Sequence, residues 1–446
     1  MINCCSSQYN SAVKEQKNEK SAPAWLVSLG ENYSLLLILI MFSAGVALSL
    51  ICGIPVSRVM KGYSYNVLVI LIVMELFTNL IAETDIMQLV AVKIAEKSEG
   101  ERRKSLFWFG GMMFLVSALL NNITAVMIIL PIVFVLLKAL DVDRKYVNVF
   151  FATILSLSNT GGAASPIGDF PAIVIMTSGI TSFLGYLFRA FPFFVLTSAA
   201  LVFLWRSQVK KENDDSAIRK LAVVNLKSQH KNICVRKDVL KSLAVVFVGM
   251  FLAWSFVPQD VLPPEIIAVL GYGVAMSICS FKGIRVLQKM DLRSALTIAS
   301  FLFVAEVISQ TGFLNMIAGF LQENITNQKA LIIVIMLITA IAAGCFSAGP
   351  AAAAMMPIIV NICNGPLNGQ SDWIAVAYAA AICAGSSLFM WSATAGFILS
   401  GKINEAVLTG DDNSRISWGC AQYWKYGFVN FVVQLLIAIS MVALVL

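Results

Sequence analysis

Long apolar blocks dominate this chain and limit what it can fold into. Seven blocks are long enough to cross about 30 Å of hydrocarbon as helices. Of the 446 residues, 59% are hydrophobic and only 13% are charged, which excludes soluble enzymes and nucleic-acid-binding proteins, because both need far more charged surface. The sequence therefore predicts an all-α polytopic membrane protein. The seven blocks are residues 34–53, 66–82, 184–205, 238–257, 262–280, 294–311 and 425–446.

Catalytic and metal motifs are missing from the sequence. The nine cysteines form no CxxC pair and His230 is the single histidine, so no metal-ligand spacing is present. Gly161-Gly162 is not followed by the Gly-Lys-Ser/Thr of a phosphate-binding loop. We expect no enzyme activity and no cofactor beyond Na⁺ or H⁺ as coupling ion, and the expected partners are membrane lipid and a small ion or carboxylate, not nucleic acid.

Two apolar regions, 106–137 and 330–363, are too long for one crossing. The first is interrupted by Asn-Asn-Ile-Thr at 121–124 and the second by Ser-Ala-Gly-Pro at 347–350. Unpaired backbone is tolerated in a membrane only where protein or water covers it. Each region therefore predicts a re-entrant helical hairpin whose tip stops inside the membrane.

Two further regions, 146–180 and 374–400, are interrupted by small and polar residues. These residues cluster at 158–169 and 385–396. Glycines and prolines so close together indicate discontinuous helices. An ordinary kinked helix is the alternative.

The sequence matches itself in order. Thr84 aligns with Thr311 and Pro131 aligns with Pro357 at nearly the same spacing, and the interrupted regions follow in step. Because Lys and Arg concentrate in 206–237, that segment is predicted to be cytoplasmic. Tracing the chain from it in both directions gives two inverted repeats, each with a hairpin and a discontinuous helix.

This repeat predicts the domain organisation. Segments 85–96 and 312–322 are expected to be interfacial helices that brace the hairpins. The N-terminal segment lacks the pattern of a signal peptide. We expect a bacterial-type inner (plasma) membrane protein with its N-terminus and its connector in the cytoplasm. The predicted divisions are a tail at 1–33, a first repeat at 34–205, a connector at 206–237 and a second repeat at 238–446.

Two hairpin tips that face two helix breaks would form one site in the middle of the membrane. Helix N-termini there would attract an anion, and exposed carbonyls would attract a cation. The predicted ion- or substrate-binding residues are Asn121, Asn122, Thr124, Ser158, Asn159, Thr160, Gly161, Gly162, Ser165, Asp169, Ser347, Gly349, Ser386, Ser387, Ser392 and Thr394.

Asp169 is the leading functional candidate. A carboxyl group at membrane depth must be protonated, ion-bound or paired. A Na⁺ site is expected at Asn122, Asn159 and Asp169, since hard oxygens suit this ion. The alternative role for Asp169 is to cap the helix that begins near Pro171. Glu75 and Glu306 are further candidates for proton coupling; the alternative is that they lie in a solvated crevice or pair with a basic residue.

The sequence Asn159-Thr-Gly-Gly-Ala-Ala-Ser-Pro-Ile-Gly-Asp169 resembles the glycine-rich helix break of the ion transporter superfamily. This superfamily includes NhaD-type Na⁺/H⁺ antiporters, arsenite permeases, citrate carriers and divalent anion/sodium symporters. The Ser-Asn-Thr triplet at 158–160 is similar to a signature of the divalent anion symporters. The resemblance implies a homodimer with a scaffold domain and a mobile, elevator-type transport domain, and ion-coupled movement of cations or small anions.

The leading hypothesis is a secondary transporter of the Na⁺/H⁺ antiporter type, in which Asp169 binds either ion. The alternative is a Na⁺- or H⁺-coupled symporter of a small anion such as citrate or a dicarboxylate. A receptor or scaffold without transport activity is a third class, and a passive channel is a fourth. Flux measurements in reconstituted vesicles would separate these classes.

Overall fold

The computed structural model describes most of the chain. Parts of the expected tail and of the basic connector lie outside the described residues. The described residues are 33–139, 143–209, 221, 223–224, 226–228, 235–279, 290, 292–364, 369–406, 408–409 and 414–445.

Helices make up almost all of the described chain. Those before the connector are α1 Tyr33–Ile51, α2 Val56–Gly62, α3 Tyr65–Ala82, α4 Ile86–Ser98, α5 Arg102–Leu119, α6 Asn122–Ala139, α7 Arg144–Ala163, α8 Phe170–Thr177 and α9 Phe183–Gln208.

The helices after the connector follow a similar order. They are α10 Lys237–Phe256, α11 Pro264–Ile278, α12 Leu292–Gln310, α13 Phe313–Asn324, α14 Gln328–Phe346, α15 Ala348–Asn364, α16 Ser371–Ser386, α17 Gly396–Glu405 and α18 Cys420–Val445. A two-stranded antiparallel sheet, β1 Leu408–Thr409 with β2 Arg415–Ile416, lies before α18.

The seven predicted apolar spans are confirmed as helices. Within the described residues, five helices are long and apolar enough to cross a membrane, or up to seven if each of two bent helix pairs is one span. One bent pair joins α1 to α2 at 116°, and the other joins α12 to α13 at 63°. The predicted bracing segments are thus separate helices, α4 and α13; their interfacial position stays a prediction.

The hairpins and helix breaks are also present. Residues 120–121 connect α5 to α6, and Ser347 alone connects α14 to α15. The φ angle of Ser347 is 109°, which L residues rarely adopt and which is concentrated at functional sites. Six residues, 164–169, separate α7 from α8, and nine residues, 387–395, separate α16 from α17. The alternative of ordinary kinked helices is therefore wrong.

The same packing occurs in both halves. Helix α5 packs on α7 and α14 packs on α16, so each broken helix lies against the first arm of its own hairpin. Helices α3 and α11 pack together, and α1 packs on α12, which joins the halves outside the hairpins. This order agrees with a duplicated unit; the opposite orientation of the two units stays a prediction.

One glycine in each broken helix permits this packing. A Cβ atom at Gly161 would overlap the carbonyl oxygen of Phe114 in α5, and a Cβ atom at Gly385 would overlap the carbonyl oxygen of Ala340 in α14. The backbones could not approach so closely with any larger residue. Both breaks are therefore held against a hairpin arm through main-chain contact.

We expect Gly161→Ala and Gly385→Ala each to lower the free energy of unfolding by roughly 1–3 kcal/mol, because the added methyl group meets rigid backbone. The measurement is the midpoint of thermal unfolding in detergent. Gly111→Ala is the control, because a Cβ atom there meets no atom within 4 Å. Equal midpoints in all three variants would contradict the proposed packing role.

Candidate ion site at the two helix breaks

Asp169 lies at the start of α8, at the end of the first break. Its backbone is extended, with φ −147° and ψ 165°, and its Oδ1 accepts a hydrogen bond of 2.9 Å from the backbone N–H of Phe170. Pro171 follows in the first turn, where it costs no hydrogen bond. Asp169 therefore does cap this helix, as the alternative interpretation proposed, and only 7% of its surface is exposed.

Asn122, at the tip of the first hairpin, binds the same carboxylate. Its Nδ2 donates to Asp169 Oδ2 over 2.7 Å, and the hydroxyl of Ser117 donates to its Oδ1. The contact with Ser117 orients the amide so that its NH₂ group faces Asp169. A Cβ atom at Gly162 would lie 2.6 Å from Asn122 Oδ1 and 2.8 Å from Asp169 Cβ, so only glycine fits beside this pair.

The second break reaches the first from the other half of the chain. Thr394 Oγ1 lies 3.4 Å from Asp169 Oδ2. Asn159 Nδ2 lies 3.4 Å from the carbonyl oxygen of Ser386 and 3.4 Å from Ser387 Oγ. The two breaks are thus in direct polar contact.

The tip of the second hairpin completes the arrangement. The backbone N–H of Ala348 donates to the carbonyl oxygen of Ser392 over 3.3 Å, and a Cβ atom at Gly349 would lie 3.2 Å from the ring of Phe170. Ser392 Oγ lies 2.8 Å from the carbonyl oxygen of Phe389 and 3.1 Å from that of Ser386. Both tips and both breaks therefore meet at one place.

Within the part of the chain that the structure describes, the hydrogen-bond donors to Asp169 are neutral. They are the Phe170 amide, the Asn122 side chain and the Thr394 hydroxyl. Among the described residues, Asp169 forms no ion pair with Lys or Arg. Ser158 Oγ and Asn159 Oδ1 are buried and have no hydrogen-bond partner in the described part of the chain, and such hard oxygens are ligands that Na⁺ prefers.

Other predicted site residues have structural contacts. Thr160 Oγ1 lies 2.7 Å from Ser198 Oγ, so it faces α9. Ser165 donates to the carbonyl oxygen of Ala118, and Ser387 donates to that of Cys383 over 2.9 Å. Asn121 Oδ1 accepts from the N–H of Ile123 over 2.9 Å at the start of α6. Thr124 is half-buried on α6.

The two glutamates lie in different cavities. Glu75 on α3 lines a small cavity together with Asp169, Thr78 and Asn121. The volume of this cavity is about 10 Å³, counted as the space open to the centre of a water molecule. That is room for about one water molecule. Glu306 lines a much larger cavity and accepts a hydrogen bond of 2.7 Å from Gln310 Nε2. This placement of Glu306 agrees with the solvated crevice that was the alternative.

Sequence reasoning missed two residues of this network. Ser117 lies in the apolar first arm of the hairpin, outside any motif, and only the fold brings it to Asn122. Gln434 on α18 donates to Ser387 Oγ over 3.1 Å. The position of Gln434 inside an apolar span could have indicated its role, because a polar side chain there must find a polar partner.

The described residues contain no group of three His, Cys, Asp or Glu side chains that could hold a metal ion. One carboxylate with amide and hydroxyl oxygens suits a monovalent ion better than a transition metal. The two tips and the two breaks thus form a buried cluster of mostly neutral polar groups around Asp169.

Comparison with known proteins identifies the family. Residues 25–383 match the family model described as citrate transporter, CitMHS. The chain belongs to this family. The family lies within the ion transporter superfamily, so the resemblance seen in the 159–169 sequence is confirmed.

Individual relatives are also transporters. An uncharacterized transporter of Mycobacterium bovis is 22% identical over 77% of this chain and 80% of its own length. The Na⁺/H⁺ antiporter NhaD of Halomonas elongata is 29% identical over 33% of this chain and 27% of its own length. The crystal structure of the YdaH transporter of Alcanivorax borkumensis has a similar fold, with a TM-score of 0.54 at 14% identity over 92% of this chain and 96% of that chain.

The family and the apolar helices together make this chain an integral membrane transporter. The hypothesis of a receptor or scaffold without transport activity is not supported, because the named relatives are transporters. Which ion or solute moves, and in which direction, depends on the chemistry of the site.

We expect Asn122→Leu to lower the free energy of unfolding by about 1–3 kcal/mol, because it removes the amide that holds Asp169 and leaves buried groups unpaired. Thr124→Val is the control, since Thr124 lies on the same helix but is not among the partners of Asp169. Thermal unfolding in detergent measures both. If Thr124→Val were as destabilising as Asn122→Leu, the bond to Asp169 would not be the cause.

Proposed function

We propose that this protein is a secondary active transporter that exchanges Na⁺ and H⁺ at Asp169. The observation that carries the proposal is the environment of its carboxylate, which is buried and surrounded by neutral donors. A bare charge there would be very unfavourable. Asp169 must therefore hold a proton or a cation whenever the site is closed, and one group that holds either ion is the basis of antiport.

The surrounding residues suit both forms. Asn122 Nδ2 is 2.7 Å from the carboxylate, which orients it without supplying a compensating charge. The unpartnered oxygens of Ser158 and Asn159 have lone pairs for a cation. We assign Asn159 and Asp169 to the Na⁺ site and Asp169 to proton coupling. Asn122, which was also expected to bind Na⁺, presents its NH₂ group to the carboxylate and positions it instead. Glu75 is a second candidate for proton coupling, because it lines the same small cavity.

An elevator-type movement is part of the proposal. The hairpins and the broken helices pack on one another, and the pairs α1–α12 and α3–α11 lie beside them, with α12 in contact with α15 and α3 in contact with α8. A unit with this division can move as one body past the other helices and carry its site with it. We further propose a homodimer in a bacterial-type inner membrane, with the N-terminus and the 206–237 connector in the cytoplasm.

Similarity to the NhaD antiporter of Halomonas elongata, which covers one third of this chain, supports the exchange of Na⁺ and H⁺. The family match supports a second candidate, the Na⁺- or H⁺-coupled symport of citrate or a related carboxylate. Four helices, α6, α8, α15 and α17, begin at the site, and helix N-termini attract anions. In that case Asp169 would hold the coupling ion.

In proteoliposomes with an imposed pH gradient, we expect added Na⁺ to drive proton movement in the native protein and not in Asp169→Asn. The asparagine side chain has no negative charge with which to bind Na⁺ or a proton. A pH-sensitive dye measures the exchange. Asp238→Asn, the same change at an exposed position, should keep full activity. If Asp169→Asn kept its activity, the proposed exchange at Asp169 would be wrong.

Citrate-dependent uptake separates the two candidates. If the protein is an antiporter, radiolabelled Na⁺ uptake should not increase when citrate or succinate is added. An increase that is lost in Asp169→Asn would establish coupled symport instead. Na⁺ should also raise the thermal unfolding midpoint of the native protein, because a ligand that binds only the folded state stabilises it.

A further inference from the structure

A large cavity opens beside the candidate site. Its volume is about 630 Å³, counted as the space open to the centre of a water molecule, and such a volume is typical of small-molecule sites. The ends of α3, α8, α12, α13 and α15 surround it. Its polar lining residues include Glu306, Ser309, Asn361 and Asn364.

The cavity extends from the surface toward Asp169. Asn361 and Asn364 at one end are exposed, whereas Val174 and Ala353 at the other end are buried. Val174 lies five residues after Asp169, which is about 7.5 Å along an α-helix. The neighbouring residue Ile173 lines the small cavity that contains Asp169. Consecutive residues of α8 therefore line the two cavities.

Charge distinguishes this cavity from a general polar crevice. Of the described residues that line it, Glu306 alone is charged, and the other polar groups are neutral amides and hydroxyls. Arg58 and Lys61 lie on the adjacent α2, but neither lines the cavity. Gln310 Nε2 bonds both Glu306 Oε1 and the carbonyl oxygen of Arg58, over 2.7 and 3.1 Å, which holds the carboxylate against α2.

We infer that this cavity is the entrance through which a hydrated monovalent cation reaches Asp169, and that Glu306 makes it selective for cations. A single negative charge in a cleft with low-dielectric walls concentrates cations and repels anions. Amide and hydroxyl groups can hydrogen-bond to the water shell of the ion. The inference rests on the proposed function and names the class of its substrate. Glu306 then acts at the entrance, and not in proton coupling.

Thiol labelling measures the selectivity without any transport assay. Ser309→Cys places a thiol in the cavity, on the same helix as Glu306. The tryptic peptide from 294 to 329 contains no native cysteine, so mass spectrometry separates this label from the native ones. The probes are a cationic and an anionic methanethiosulfonate of similar size, applied to the full-length protein in detergent.

We expect the cationic reagent to react faster than the anionic one by on the order of tenfold. In the Ser309→Cys protein, the further change Glu306→Gln should bring the two labelling rates close together, and Glu306→Lys should reverse their order. Glu323→Gln is the control, because it removes an exposed acid from α13 that does not line the cavity. Equal rates before Glu306 is changed, faster anionic labelling, or a thiol that reacts only after denaturation would each overturn the inference.

Transport assays then separate this inference from the proposed function. Glu306→Gln should raise the KM for Na⁺ severalfold and leave the maximal rate unchanged, whereas Asp169→Asn should abolish exchange. If the native protein shows no exchange but the labelling rates differ as expected, the proposed function fails and the cation-selective cavity stands. If exchange is normal and Glu306→Gln leaves the KM unchanged, the entrance role of Glu306 is wrong.

Discussion

The structure depends on how the backbone at two interruptions finds partners inside an apolar protein. Peptide groups without hydrogen bonds are costly in hydrocarbon, so a helix can stop there only where something else meets its ends. Here the hairpins do so: the hydroxyl of Ser117 donates to the carbonyl oxygen of Ser158, and the N–H of Ala348 donates to the carbonyl oxygen of Ser392. Each hairpin is held in turn by a glycine of its broken helix, Gly161 or Gly385. The polar site thus lies where backbone groups at the two breaks find hydrogen-bond partners in the hairpins.

This constraint also places a carboxylate in the site. Asp169 caps a short helix and receives neutral donors, which orient the carboxylate without cancelling its charge. In the proposed exchange, a proton or Na⁺ supplies the missing positive charge, and the two compete. The larger cavity nearer the surface has the same composition, with a carboxylate, Glu306, among neutral amides and hydroxyls. Membership of the citrate transporter family sets the class of protein, whereas these contacts favour a cation as the species bound at Asp169.

Much of this arrangement could be predicted from the sequence. Apolar blocks indicated the spans, and interruptions such as 121–124 and 347–350 indicated the tips, because polar groups within an apolar block are costly unless the chain turns there and pairs them. Side-chain direction could not be predicted: Thr160 belongs to the same motif as Asn159, yet it faces α9. Ser117 and the cavity around Glu306 depend on contacts between distant segments, which no local pattern contains. The inverted orientation of the repeats and the domain boundaries stay predictions.

Competition between Na⁺ and a proton at Asp169 can be measured directly in the purified protein. Na⁺ is added to the protein in weakly buffered detergent solution, and the protons released are counted with a pH indicator. Our account predicts about one proton released for each Na⁺ bound, since a bound cation replaces the proton on its ligand, and no release from Asp169→Asn. Binding of Na⁺ without proton release, or equal release from Asp169→Asn, would contradict it.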